Sequence, residues 1–387
     1  MKLSSSAVFF CFIAIFCLGS LPVHGAEDRA PLVLGAIYDL TGSQADLDKP
    51  SLQGARLAVE EVNRQGGLLG RPVRLAVADG QSNPEIIAAR TAAMVREHTA
   101  MVAVMGLSDT DMVLAAAPVA ARNRLLFVTS GATSPKLPAQ VPEFLYLAGF
   151  GDNVQAAAAA EFAYRDLSAR TVSVLFNSTM SYTRLLHEYF QKRFTQLGGR
   201  VLSSERYMPH NIGPSAARLT KADVIFLAAG PDDAPVAAGL LRRAGTSSPI
   251  LGGDGFDSDS VWQKHPEIRN VYFTTHAYLG ADSPVARVQT FREAYESAYP
   301  GSTANAFAAL GYDTARLIIA AIEKARSSAP SAVLAAFSTI RDFKGVTGTI
   351  SYADGSPIPK KSVSILKIEK GRRSLVREVL PAEIPAP

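Results

Sequence analysis

Residues 32–78 read LVLGAIYDLTGSQADLDKPSLQGARLAVEEVNRQGGLLGRPVRLAVA, and this stretch decides the fold class. The apolar run Leu32–Tyr38 predicts a strand. Leu52, Ala55, Val59 and Val62 then recur at helical spacing, and Gly66-Gly67 ends that helix. Val73–Ala78 is a second short apolar strand. Strand, amphipathic helix, strand is the unit from which parallel sheets covered by helices are built.

Outward from there the rhythm continues. A helix opens at Pro84 and runs to about Arg96. Met101–Met105 (strand), Asp111–Arg122 (helix) and Leu125–Val128 (strand) follow. A second series begins with a helix at Val154–Leu167, then Thr171–Phe176 (strand), Tyr182–Leu197 (helix) and Val201–Tyr207 (strand). Asp223–Ala228 (strand), Asp232–Ala244 (helix) and a short strand at Ile250 complete it. Val288–Ala298 and Ala304–Lys324 predict two long helices. Gly345–Tyr352, Ser362–Glu369 and Ser374–Val379 predict antiparallel strands, with Asp354-Gly355 as a turn. Residues 381–387 read as a disordered end. The expected fold is α/β, with two doubly wound parallel-sheet lobes.

Residues 1–25 predict a cleavable export signal: Lys2, an apolar run from Ala7 to Leu18, and small residues before Ala26. The run is short for a retained anchor. Both cysteines, Cys11 and Cys17, fall inside it, so a mature chain has no disulfide and no thiol nucleophile. With Phe10 and Phe16 before them, neither cysteine fits a lipoprotein cleavage site. The expected compartment is the periplasm. About 360 residues with this apolar content suit two domains better than one. The formal charge of +4 falls to +3 without Lys2, and no basic stripe suits nucleic acid.

Catalytic and metal patterns are missing from the sequence. His98, His187, His210 and His265 have no ligand spacing and read as surface or packing residues. Neither a nucleophile elbow nor a phosphate loop occurs, and Gly252-Gly253-Asp254-Gly255 lacks dinucleotide-binding spacing. Asp257-Ser258-Asp259 lacks the rest of a calcium loop. No enzyme, cofactor or metal site is expected. What stands out is polar loops at strand-to-helix turns: 106–110 after one strand and 129–134 after another. Both fall on the same sheet edge, where ligands bind in parallel sheets. Hydroxyls converging there suit a carboxylate; the alternative is that Thr110 and Thr133 merely cap helices.

At these residues the sequence resembles the branched-chain amino-acid-binding (leucine/isoleucine/valine-binding-like) family of periplasmic solute-binding proteins, which serve ABC importers. The resemblance rests on Ile37–Gly42, Gln53-Gly54-Ala55 through Gly66-Gly67, Ser130–Thr133, Gly198-Gly199, Gly252–Gly255, Asn305–Arg316 and Gly345–Gly355. It implies a type I periplasmic binding fold with a three-crossing hinge. Lobe one is placed at 30–150 plus 277–350, lobe two at 151–276 plus 351–375, and a tail at 376–387. The implied ligand is an amino acid or similar small carboxylate, captured by clamshell closure. Its carboxylate would meet Thr110 and Thr133 beside Ser108 and Gly131; Tyr182 would close over it and Asp254 would meet its ammonium. The alternative for Asp254 is to stabilise its own turn. Leu47 and Gly230 stand where relatives carry aromatics, which widens the expected pocket and leaves a larger amino acid or an aromatic acid open. Asp109 and Asp111 add acidity. His276 falls at a hinge crossing, as hinge, pocket-rim or packing residue. The implied partner is an ABC permease in the inner membrane and the implied state a monomer; a periplasmic sensor of the same fold is the alternative.

Overall fold

Strand β1 (Leu32–Tyr38) is buried along its whole length, as a central strand covered on both faces must be. In the computed structural model, which describes residues 30–352 and 355–387, it pairs in parallel with β2 (Val73–Asp79) and β3 (Met101–Gly106). Adding β4 (Leu126–Thr129) and β5 (Leu145–Leu147) gives a parallel sheet of order β2-β1-β3-β4-β5. The connecting helices are α1 (Ala45–Arg64), α2 (Pro84–Glu97), α3 (Thr110–Arg122) and the single turn α4 (Leu137–Gln140). Gly66 and Gly67 both take positive φ, which lets the chain turn out of α1 toward β2.

The second lobe repeats the winding. Helix α5 (Asp152–Arg165) leads to β6 (Thr171–Asn177), α6 (Ser181–Gln196), β7 (Arg200–Tyr207), α7 (Ile212–Ala217), β8 (Val224–Ala228), α8 (Asp233–Arg243) and β9 (Ile250–Gly252). A short α9 (Asp259–Trp262) precedes β10 (Val271–Thr275). After the return to lobe one come α10 (Ala286–Ala298), α11 (Ala306–Ala325), α12 (Pro330–Phe337) and the hairpin β11 (Phe343–Gly345) with β12 (Gly348–Ile350). Strands β13 (Val363–Glu369) and β14 (Arg372–Val379) then add antiparallel to the second sheet, whose order is β14-β13-β10-β9-β8-β6-β7.

Sheet membership changes at 148–151, 276–285 and 351–362, so three segments cross between the lobes. They are bound to one another. His276 of the second crossing stacks on Phe150 of the first, with ring centroids 3.9 Å apart. Buried Lys361 of the third donates to the Ala148 carbonyl of the first at 3.4 Å and to the Thr347 hydroxyl. Burial pushes its ammonium down to about 8, against the opposing pull of the Asp313 carboxylate. Lobe one is closed by α1 against α11, and a Cβ at Gly54 would lie 1.9 Å from the Ala308 carbonyl oxygen.

Several expectations change. Strand β10, strand β5 and helix α12 were not expected from the sequence. In place of the single strand expected at Gly345–Tyr352 there is a hairpin from Phe343 to Ile350 that turns through Val346-Thr347, with Gly348 at φ +107° opening its second strand. The end expected to be disordered is tied to lobe two. Arg193, buried in α6, bridges Glu161 and Glu383, the Ala382 amide donates to Glu161, and Asn153 donates to the Pro385 carbonyl. A buried guanidinium needs its carboxylates, and the tail supplies one of them. The expected export signal lies outside the described residues, as does Asp354 of the expected turn. Among the described residues no helix is long and apolar enough to cross a membrane.

Candidate functional site

In both sheets the strand order reverses beside the first strand of the lobe: β2-β1-β3 in one, β7-β6-β8 in the other. At such a switch point the loops at the carboxyl ends of neighbouring strands diverge and leave a crevice. The two crevices face each other. One cavity is lined by Gln44, Leu47, Ser108, Asp109 and Thr133 from lobe one, and by Met180, Tyr182, Gly230, Pro231, Asp254 and Gly255 from lobe two. Phe307 at the start of α11 completes it. Its free volume is about 10 Å³, barely one water molecule, so entry of a solute requires the lobes to part. A larger concavity, about 530 Å³ beside Asn123, Tyr146 and Ser338, adjoins the amino ends of β4 and β5 on lobe one's far edge, away from the converging loops.

On the lobe-one side, Asp109 caps α3: its Oδ1 accepts from the amides of Asp111 and Met112 at 2.9 and 3.2 Å. Capping therefore falls to Asp109, and the buried Thr110 hydroxyl has no partner and does not line the cavity. Burial, then the charge of Asp111, pushes the Asp109 carboxyl up to about 7. Gly131 is packed behind the wall, where a Cβ would meet the Ser108 hydroxyl at 2.7 Å. Thr133 does line the cavity, but its hydroxyl donates to Asp152 Oδ1 at 2.7 Å, while the Asp152 amide donates to the Thr133 carbonyl at 2.6 Å.

Asp152 opens α5 immediately after the first crossing, and Gln155, one turn on, organises the acidic groups. Its amide nitrogen donates to Asp152 Oδ1 at 3.0 Å and to Asp254 Oδ1 at 2.8 Å. Its carbonyl accepts from the Asp254 amide at 3.1 Å and the Thr274 hydroxyl at 2.9 Å. His276 Nε2 lies 3.0 Å from Asp254 Oδ2. Burial, outweighing the pull of Asp254, lowers the His276 pKa, so the neutral ring donates to that carboxylate. Asp152 Oδ2 is buried without a partner, and burial first, then the charge of Asp254, holds its carboxyl well above the usual range. The Tyr182 hydroxyl accepts from the Gly255 amide at 3.2 Å, and a Cβ at Gly253 would sit 2.4 Å from it, so only glycine admits that tyrosine.

The pocket is not wide beside Gly230, because Met180 lies against it: a Cβ there would be 3.1 Å from the methionine sulfur. Leu47, in the first turn of α1, packs with Phe307 and Leu310. The aromatic missing from the opening loop is thus supplied by α11, 260 positions on in the chain. Met180, Phe307 and the Asp152–Gln155 pair were not singled out from sequence. For the pair, an Asp-x-x-Gln at a helix start beside a crossing was the only available signal. Lobe two also reaches across: the Ser181 amide donates to Asp111 Oδ2 at 3.0 Å. Among the described residues no cluster of side chains could hold a metal ion.

A periplasmic binding protein family model matches residues 31–372. A Leu/Ile/Val-binding protein from Rhizobium johnstonii is 25% identical over 350 residues, covering 89% of this chain and 93% of that protein. A leucine-binding protein from Thermotoga maritima is similar in structure, with TM-score 0.81, 27% identity, and coverage of 90% of this chain and 99% of that one. A branched-chain amino-acid transporter substrate-binding protein from Streptococcus pneumoniae, in complex with isoleucine, shares the fold at TM-score 0.83 and 22% identity, covering 90% and 98%.

Proposed function

Because the chain belongs to the periplasmic binding protein family, we propose that it is the solute receptor of an ABC importer, binding a small amine-bearing solute by closure of its lobes and delivering it to a permease. It is a binding protein, not an enzyme. The observation that carries the reading is the pair of facing switch points, which line one cavity from both lobes. Contacts made only when both halves meet are what a solute can use to favour closure. Asp254, fixed by Gln155 and His276, is the group that meets the amine, and Tyr182 covers it. The three bound crossings let the lobes part while the hinge keeps its core. The names of the Rhizobium and Thermotoga relatives support an amino-acid-like solute.

A thermal-shift screen of amino acids, amines, amides and aromatic acids tests this reading. A solute at a hundred times its Kd adds about 2.7 kcal/mol to folding stability, several degrees in Tm. The expected result is a rise with an amine-bearing compound that is lost in Asp254→Asn. If no amine raises Tm, or the rise survives that substitution, the assignment fails.

A further inference from the structure

We propose that the hinge carries a second small-molecule site, separate from the cleft, for a dipeptide-sized zwitterion with an apolar body, and that its occupancy favours closed lobes. A concavity of about 430 Å³ lies beside the second and third crossings, within the usual size range of small-molecule pockets. It shares no lining residue with the cleft. Its walls come from both lobes. Val288 of α10 and Val346 of the β11–β12 turn belong to lobe one, and Leu375 and Glu378 of β14 belong to lobe two.

The lobe-one walls are fixed in advance. The Gln289 side-chain amide donates to the carbonyls of Gly280, Ala281 and Ser283 at 3.3, 3.0 and 2.9 Å, tying the second crossing to α10. Asp313 of α11 accepts from the Val346 and Thr347 amides, both at 2.8 Å, and so holds the hairpin turn. Walls that are already ordered cost a ligand little on binding. Val285 and Leu375 are exposed large apolar side chains, and with Val288 and Val346 they line the concavity. Arg287 from lobe one and Glu378 from lobe two are exposed on the same concavity, and neither has a salt-bridge or side-chain hydrogen-bond partner among the described residues. A guanidinium on one lobe and a carboxylate on the other complement a carboxylate and an ammonium on one molecule. Two residues of peptide supply both charges and enough apolar body for the volume.

Because the walls belong to different lobes, parting the lobes moves Leu375 and Glu378 relative to Val288 and Arg287. A molecule bound to both sets therefore favours the arrangement seen here, in which the cleft is shut. The second crossing also links the two sites: His276 borders the concavity, and its ring is hydrogen-bonded to Asp254 in the cleft at 3.0 Å.

Calorimetric titration of the full protein with leucyl-leucine tests the site, and Asp254→Asn separates it from the cleft. Binding should persist in Asp254→Asn. It should weaken about three- to fivefold in Arg287→Ala and in Glu378→Ala, as expected for exposed charge pairs. It should be lost in Thr349→Trp, which puts a bulky ring at an exposed strand position lining the concavity; circular dichroism checks the fold of each variant. N-acetyl-leucyl-leucine amide, which has neither charge, should bind at least about tenfold more weakly than leucyl-leucine. Small-angle scattering of Asp254→Asn should show the radius of gyration falling at saturation. No binding of leucyl-leucine, binding lost in Asp254→Asn, or binding unaffected by Thr349→Trp overturns the inference and leaves the receptor reading standing. An unchanged radius of gyration at saturation overturns the coupling to closure.

Discussion

Removing Asp111 should open the cleft without unfolding either lobe. Asp111 belongs to α3 in lobe one, yet its Oδ2 accepts from the Ser181 amide, the first residue of α6 in lobe two, at 3.0 Å. Helix α6 has Met180 at its N-cap and no side-chain cap of its own, so Asp111 caps it from across the cleft. A hydrogen bond to a charged group contributes about 1.5–3 kcal/mol, and a helix N-terminus adds roughly 0.3–1. Both residues are half-buried, so solvent screening reduces the total to about 1 kcal/mol. That is roughly a fivefold shift of the closed–open equilibrium toward open. The Kd of a solute bound by the closed form should rise about fivefold in Asp111→Ala. Calorimetry measures the affinity, small-angle scattering the mean lobe separation, and circular dichroism the fold. Because the contact is between lobes, urea unfolding of each lobe should change little. An unchanged Kd together with an unchanged radius of gyration would refute the claim that this contact holds the lobes together.

Two other outcomes follow from the structure. Gly311→Ala places a methyl 1.8 Å from the Ser51 carbonyl oxygen, where α11 meets α1, and backbone cannot yield there without parting the helices. The loss should be about 3 kcal/mol, far outweighing the roughly 1 kcal/mol gained in helix propensity; a urea midpoint equal to wild type would contradict the packing. Stability should also fall as pH rises from about 4 to 7. The Asp109 carboxyl, pushed up to about 7 by burial and by Asp111 and Asp39, makes the folded chain bind a proton that the unfolded chain has released. Its contribution is fully present below the ordinary carboxyl value and is lost as pH rises through the folded value, up to about 4 kcal/mol. Burial and like charges raise Asp48 and Asp152 too, with the same sign, so Asp109→Asn should reduce the slope without abolishing it. A Tm profile equally steep in wild type and variant would exclude Asp109 as a source.

The parallel sheets were legible in the sequence because strand and helix periodicities are local, and buried strands must be apolar on both faces. So were the loops that form the cleft, since loops at the carboxyl ends of parallel strands share an edge. The resemblance added Asp254, Tyr182 and Thr133, and all three line the cavity. What tertiary structure alone decided is what those groups bind. Thr133 reads as a free hydroxyl until the chain brings Asp152 to it from 19 positions away. Asp254 acquires Gln155 across 99 positions and His276 across 22, and no local pattern encodes either pairing. Gly230 reads as a gap until Met180 fills it, and Leu47 lacks an aromatic neighbour until α11 supplies Phe307. Hydrogen-bonding capacity belongs to a residue, but whether it is spent within the protein or left for a solute depends on what folding places beside it. The sequence therefore determined the two lobes and the place where they meet, and tertiary packing, within each lobe and between them, decided which groups of the cleft are left for a solute.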